Sequence, residues 1–329
     1  MAQATDILSQ NEPKSLTVTS TFTRPSYGLW QLAWRRFLRH RAALAGGIGL
    51  VLIILFVIIG SFAFSEEYAN TPNVIIRLQA PSLLANPPTF DHLMGTDSTG
   101  RDILARIVYG GQISLLIGFL AVAVSVTVGL LVGALSGYYG GWIDAVLMRL
   151  TEAMLAIPTL LLLIVLSKML LGQVPNLHFW GREISGSVPI VILVIGLTGW
   201  MYEARIVRSQ FLSIKEQEFI TAARATGVKN SRIMWRHILP NSLAPIIVNA
   251  TLGLAVAIIT EAYVSFLGLG VQEPTASWGN ILNQALSFIQ RGVWWLWLFP
   301  SLMIIFSLLC VNFLGDGLRD ALDPRSRVV

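Results

Sequence analysis

Six apolar runs, each long enough to cross a bilayer, constrain this chain more than any other feature. A spanning helix needs roughly 17 to 25 apolar residues to traverse about 30 Å of hydrocarbon. The sequence supplies such runs at about 44–64, 112–135, 149–171, 188–207, 243–267 and 297–316. Hydrocarbon offers no water to backbone N–H and C=O groups, so these runs must satisfy their own hydrogen bonds as helices. Composition agrees: of 329 residues 54% are hydrophobic and only 12% are charged, about half the charge that a soluble surface carries. A soluble globule and a disordered chain are both excluded, and a single cysteine, Cys310, excludes a disulfide framework. The expected fold is an all-α integral membrane protein with six transmembrane helices.

Orientation follows from the basic residues, which favour cytoplasmic connections. With the N-terminus inside, seventeen of the 23 Lys and Arg fall in cytoplasmic segments, five in outer ones, and Lys168 lies near the outer end of the third run. An even number of spans then puts both termini in the cytoplasm. The net charge of +5 is accounted for by this sidedness, so no nucleic-acid partner is expected. The first run begins after more than 40 residues and exceeds a signal-peptide core, so it is expected to remain as an anchor.

The chain divides into a cytoplasmic tail with a basic pre-membrane helix (1–42), the first anchor (43–65) and an extracytoplasmic segment (66–110). A membrane core (111–318) and a cytoplasmic tail (319–329) follow. Residues 1–24, rich in Ser, Thr, Gln and Asn, read as a disordered tail. The outer segment contains Pro72, Pro81, Pro87 and Pro88, too many breaks for one helix. Trp294, Trp295 and Trp297 fit an interfacial belt at the outer end of the last span.

Within the membrane, Ser125, Gly129, Gly133 and Gly137 make a small-residue ridge on which another helix can pack closely. Gly253, Ala257, Glu261 and Ser265 make a second ridge, which turns the Glu261 carboxylate into the protein. An intramembrane carboxylate is costly unless it is paired or wet. Glu261 and Ser265 are therefore candidates for a translocation path or a subunit interface, with a helix-to-helix polar contact as the competing reading. Glu152 and Lys168 lie close to membrane boundaries, where water reaches them, and Pro158 is expected to kink the third span.

Several chemistries are missing. The four histidines fall in separate segments without the spacing of a helical zinc site. No Gly-x-x-x-x-Gly-Lys-Ser/Thr phosphate loop and no Gly-x-Ser-x-Gly elbow occur. Asp97 could begin a calcium loop, but Thr99, Arg101 and Val108 occupy positions that need oxygen ligands. The chain is expected to be no enzyme, with no catalytic residue, metal or cofactor of its own.

The longest and most basic cytoplasmic connection, 209–242, carries the functional argument. Glu218 to Ala225 reads as a short helix with an acid at its positive end, and Gly227 can take the positive φ of a helix stop. Asn230 or Ser231 can cap a second helix that Pro240 ends. Ala222, Ala223 and Ala225 offer a nearly bare face that could enter a groove on another protein, with Ile233, Trp235 and Ile238 for apolar grip. The alternative is an amphipathic connector lying on the membrane face.

The stretch Thr221-Ala-Ala-Arg-Ala-Thr-Gly227, with Leu239-Pro240 after it, resembles the EAA loop of permease subunits of ABC importers. Three more blocks narrow the resemblance to the dipeptide/oligopeptide permease family. They are Gly95-Thr-Asp-Ser-Thr-Gly-Arg-Asp102, Ser265-Phe-Leu-Gly-Leu-Gly-Val-Gln272 with Ser277-Trp-Gly279, and Gly315-Asp-Gly-Leu-Arg-Asp-Ala-Leu-Asp-Pro324.

This resemblance implies the five-helix permease core plus one N-terminal helix, in the cell membrane. It implies a heterodimer with a second permease subunit, two cytoplasmic ATPase subunits that bind ATP and Mg, and an extracytoplasmic substrate-binding protein. Glu218, Ala222, Ala223, Gly227, Leu239 and Pro240 would then couple the chain to the ATPase. Thr221 stands where the motif has its Glu, and the outer connection 172–187 is longer than is usual in the family. Nickel chelates or sugars remain alternative cargoes. From other classes, a proton-coupled transporter using Glu261 and Glu152 would show internal repeats, and a membrane hydrolase would need a nucleophile with a base.

Overall fold

The computed structural model describes residues 29–84, 88–179 and 182–323. The expected tail over 1–24, Pro87 and the last motif residue, Pro324, lie outside them. An amphipathic helix α1 (Leu29–Arg39) leads into the first spanning helix α2 (Arg41–Ala63), capped by the His40 imidazole, which accepts from the Ala43 amide at 3.1 Å. A short α3 (Glu66–Asn70) and two turns of 3₁₀ helix, Val74–Ile76 and Ser82–Leu84, replace any long helix in the proline-broken outer segment.

The second spanning helix, α4 (Ile103–Tyr139), is 37 residues long, about 55 Å at 1.5 Å per residue. It is therefore longer than the hydrocarbon is thick and begins eight residues before the expected start of the membrane core at 111. Apolar content marks only the part inside the bilayer; the outer turns are set by Asp102, whose carboxylate caps the helix from the Ala105 amide at 2.8 Å. The expected third span is two helices, α5 (Gly141–Leu155) and α6 (Thr159–Leu170), meeting at 86°. Pro158 does more than kink it, because it withholds an amide and disfavours helical geometry at Ile157.

A hairpin of β1 (Leu177–Phe179) and β2 (Arg182–Ile184) leads to α7 (Ser187–Lys215), followed by the short helix α8 (Glu218–Ala225). α9 (Asn230–Arg232) then runs through a π-helical stretch, Ile233–Ile238, into α10 (Leu239–Phe266). The outer return holds α11 (Trp278–Ala285) and a 3₁₀ turn, and α12 (Trp295–Leu322) ends the described chain. Among the described residues five helices are long and apolar enough to cross a membrane, and the bent α5–α6 pair makes a sixth if it counts as one crossing.

α4 and α7 form the spine, and the expected glycine ridge is what they share. A Cβ at Gly133 would lie 2.5 Å from the Ala204 carbonyl oxygen and 2.7 Å from Val207 Cβ; one at Gly137 would lie 2.8 Å from the Arg208 carbonyl. Such contacts admit hydrogen only. At the outer end, Trp295 departs from the expected belt: it is buried, and its indole N–H donates to the Thr96 carbonyl at 3.1 Å, while Trp294 and Trp297 remain partly exposed.

Candidate functional site

The basic loop 209–242 folds as one compact unit against α4 and α7. α8 starts at Glu218, exposed at the positive end of the helix, and turns Ile220 fully inward. Gly227 stops it at φ +75°, its amide donating to the Arg224 carbonyl and the Val228 amide to the Ala223 carbonyl, at 3.0 and 3.2 Å. That pair of bonds is a Schellman motif, and half-buried Ala223 and Val228 make its apolar contact. Ala222 and Ala225 are exposed, with Phe219 and Thr221 of the same helix and Trp235 further along the loop also open to solvent.

The same geometry corrects several expectations. Ile233 and Ile238 are not grip for a partner; they are buried with Ile220, Phe211 and Met234 and hold the loop to its own bundle. Asn230 does not cap a helix through its side chain, which instead accepts from the Tyr138 hydroxyl at 2.7 Å, while Arg224 stacks over the Tyr138 ring. Pro240 does not end the second helix. It sits in the first turn of α10, where the wider π register just before it, with the Leu239 amide bonded to Met234, accommodates the missing amide. Leu239 packs into the cluster under α8, and Pro240 lines a cavity. Of the six expected coupling residues, Glu218, Ala222 and Gly227 are exposed, Ala223 and Leu239 face the bundle in part, and Pro240 lies apart.

Glu261 is fully buried within this chain, not on an outer face. Ser265 donates to its Oε1 at 2.7 Å and also accepts from the Val271 amide, so the pair braces the tight Gly268–Gly270 turn that folds α11 back over α10. Ser277 caps α11, and the Trp278 indole N–H reaches the Ile107 carbonyl of α4 at 3.1 Å.

A second intramembrane carboxylate, Glu203 of α7, escaped the sequence reading. It is 4% exposed; Asn249 of α10 donates to its Oε1 at 2.7 Å, and Oε2 has no protein partner. Its signal was an acid inside the fourth apolar run, masked by Arg205 and Arg208 close by, which make it read as part of the charged border. Asn249 lines a cavity of about 860 Å³ among α1, α7, α10 and α12.

On the outer face, the block from Gly95 to Asp102 is a locked turn. Asp97 is fully buried, accepting from the Thr99 and Arg101 amides and from Arg101 Nε at 2.7 Å. Glu273 joins Arg101 and Arg106 at 2.8 and 3.0 Å. Burial alone would raise the Asp97 carboxyl, but the Arg101 and Arg106 charges outweigh it and hold it below its ordinary value. Both Asp97 oxygens are thereby occupied within the protein. The connection 172–187 is fastened to its own chain, Arg182 donating to Glu66 at 2.6 Å and to Gln112 at 3.0 Å, and the Ser185 amide to Thr275 at 2.8 Å.

Comparison with known proteins places this architecture. Residues 129–328 match the binding-protein-dependent transport system inner membrane component family, and residues 28–81 the N-terminal TM domain of oligopeptide transport permease C. A chain of the MetNI methionine ABC transporter, solved in inward-facing conformations, shares the fold. It has a TM-score of 0.52 and 19% identity, over 66% of this chain and 95% of that one. Fold and family define the class: a non-enzymatic, multi-pass membrane subunit of an ABC importer.

The chain is 41% identical over 96% of both chains to the dipeptide transport system permease protein DppC of Alkalihalophilus pseudofirmus. It is 44% identical to the oligopeptide transport system permease protein OppC of Escherichia coli K12, over 91% of this chain and 92% of that one. The chain belongs to the dipeptide/oligopeptide permease family.

Proposed function

We propose that this chain forms one half of the membrane pathway of an ATP-driven importer of di- or oligopeptides. It pairs with a second, related permease subunit. Two cytoplasmic ATPase subunits bind and hydrolyse ATP with Mg, and an extracytoplasmic binding protein delivers the peptide. Both termini lie in the cytoplasm. The peptide cargo is supported by the names of the relatives; the coupling role is supported by the loop geometry.

The observation that carries the coupling role is the rigid seating of α8. Its exposed Ala222 and Ala225 let a partner surface approach the backbone, while Ile220 and the Gly227 stop tie the helix to α4, α7 and α10. The Lys215 ammonium donates to the Gly137 carbonyl at 3.1 Å, and Tyr138 holds Asn230. A push on α8 during ATPase closure therefore moves α4 as a rod, carrying the displacement to the outer turn around Asp97.

Ala222→Trp tests this cleanly because Ala222 makes little of the chain's own core. In reconstituted complexes, the expected result is normal insertion and permease pairing, with ATPase subunits that no longer co-purify or no longer respond to loaded binding protein. Normal ATPase retention with normal stimulation would sink the assignment.

A further inference from the structure

We propose that α1 is a docking helix for anionic phospholipid, with Trp34 and Leu38 at the acyl boundary and Arg39 and Arg41 against the negative headgroups. The inference rests on the membrane setting of the chain and not on its cargo.

The sequence sets the pattern. Residues 29–63, which hold α1 and the spanning helix α2, contain Arg35, Arg36, Arg39 and Arg41 and no acid. Trp34 and Leu38 stand four apart and so share one stripe of α1, while Arg35 and Arg39 share the stripe beside it. An apolar stripe bordered by arginines is the composition of a helix that lies in a membrane interface.

The structure shows which face the bundle uses. Ala33 is buried, and Arg36 and Phe37 are half-buried. The Arg36 guanidinium donates to the Asp323 carbonyl at 2.9 Å, and His40 pairs with Asp320 at 3.3 Å, so this face is clasped to the end of α12. The stripes turned away from α12 remain open. Trp34 is 62% exposed and Leu38 46%, and Arg39 and Arg41 are exposed with them. The Trp34 ring is held outward by stacking on Phe37, with ring centres 5.9 Å apart.

The chain path sets the depth. His40, at φ −84° and ψ 98°, interrupts the helix, and α2 begins at the next residue. Ala33 and Arg36 line the cavity together with Gln210 of α7 and Asn241 of α10. Helix α1 therefore folds back across that end of the bundle and does not prolong α2 into water. An exposed Trp and Leu at the mouth of a spanning helix meet the lipid boundary, and a cluster of arginines beside them matches headgroups of net negative charge.

The test uses the chain with the subunits that co-purify with it, in phosphatidylcholine nanodiscs. Cys310→Ser removes the one thiol of the sequence, and Gln31→Cys carries an NBD fluorophore on the exposed side of α1, one turn before Trp34. Quenching is compared between phosphatidylglycerol and phosphatidylcholine that bear the same spin label high on the acyl chain. The labelled phosphatidylglycerol is expected to reach half-maximal quenching at a mole fraction about fivefold or more lower, the enrichment that one basic side chain gives at an anionic surface. Aqueous iodide should quench little.

Arg39→Gln combined with Arg41→Gln should make the two lipids equal quenchers, whereas Arg39→Lys with Arg41→Lys, which keeps the charge, should retain the preference. Trp34→Ser should admit iodide and weaken quenching by both lipids. Equal quenching by the two lipids with both arginines in place overturns the proposal, as does a preference that survives the Gln pair. Loss of preference in the Lys pair would mean that these variants act on the seating of α1, and overturns the headgroup role. A fluorophore quenched by iodide and not by lipid puts α1 in water, and one quenched by neither puts another protein surface over it; either result sinks the assignment.

Discussion

Gly227→Val is the sharpest perturbation of the loop 209–242 because its cost has a single origin. Gly227 sits at φ +75°, and a Cβ built there meets nothing within 4 Å. No neighbour is pushed, so the penalty is that of holding a branched L-residue in the left-handed region, about 1–2 kcal/mol. The chain can relieve it only by releasing the bonds from residues 227 and 228 to the Arg224 and Ala223 carbonyls and lifting Val228 off the Ile220 cluster. A strain of about 1–2 kcal/mol raises the population of that opened state roughly 5- to 30-fold. Hydrogen exchange followed by mass spectrometry over residues 219–230 reads this directly: exchange should accelerate by that factor in Gly227→Val and far less in Gly227→Asn, since Asn tolerates the left-handed region. Exchange in the middle of α4 should not change. Equal exchange in the wild-type and Val proteins would refute the reasoning, because the glycine would then serve neither backbone geometry nor the seating of α8.

Two further outcomes follow from the packing and the outer network. Gly133→Val forces a side chain to within 2.5–2.7 Å of Ala204 and Val207; it should cost about 1–3 kcal/mol, seen as a lower unfolding temperature in detergent, and an unchanged temperature would contradict the close α4–α7 contact. For Asp97, the folded carboxyl lies below its ordinary value, so its stabilisation is complete above the unfolded pKa of about 3.9 and is lost as pH falls through the folded value. Unfolding temperature should therefore be insensitive to this group from pH 8 to about 5 and fall below about pH 4; Asp97→Asn should lower stability at neutral pH and flatten that acid slope, and a slope identical to wild type would show that Asp97 does not carry it.

Much of the loop 209–242 is legible in sequence because its signals are local. α8 begins at Glu218 and stops before Gly227, where the first-turn acid and the glycine place its ends, and those cues act within one helical turn. The break at Pro158 and the glycine ridge of α4 are equally local, since a missing amide and a missing Cβ act wherever they stand. Other residues misled for a common reason. Asn230 has the chemistry of a cap, but Tyr138, 92 positions away, takes its side chain. Pro240 has the chemistry of a helix breaker, but a π turn accommodates it. Trp295 has the composition of a membrane belt, but Thr96, 199 positions earlier, accepts its N–H.

The sequence by itself determined that the chain lies in a membrane, roughly where it crosses, where α8 starts and stops, and which face of α4 is flat enough to be approached. Those properties depend on transfer free energy and on backbone geometry within a few residues, which a linear chain displays. Only the tertiary structure decided what each polar group inside the membrane meets. Glu261 was legible as an intramembrane carboxylate and Glu203 was not, yet both are buried: Glu261 accepts from Ser265 under a turn, whereas Glu203 accepts from Asn249 across the bundle. The distinction arises because burial and hydrogen-bond partnership are set by helices that approach across the bundle, and the energy of a buried charge depends on those partners and not on its neighbours in the chain.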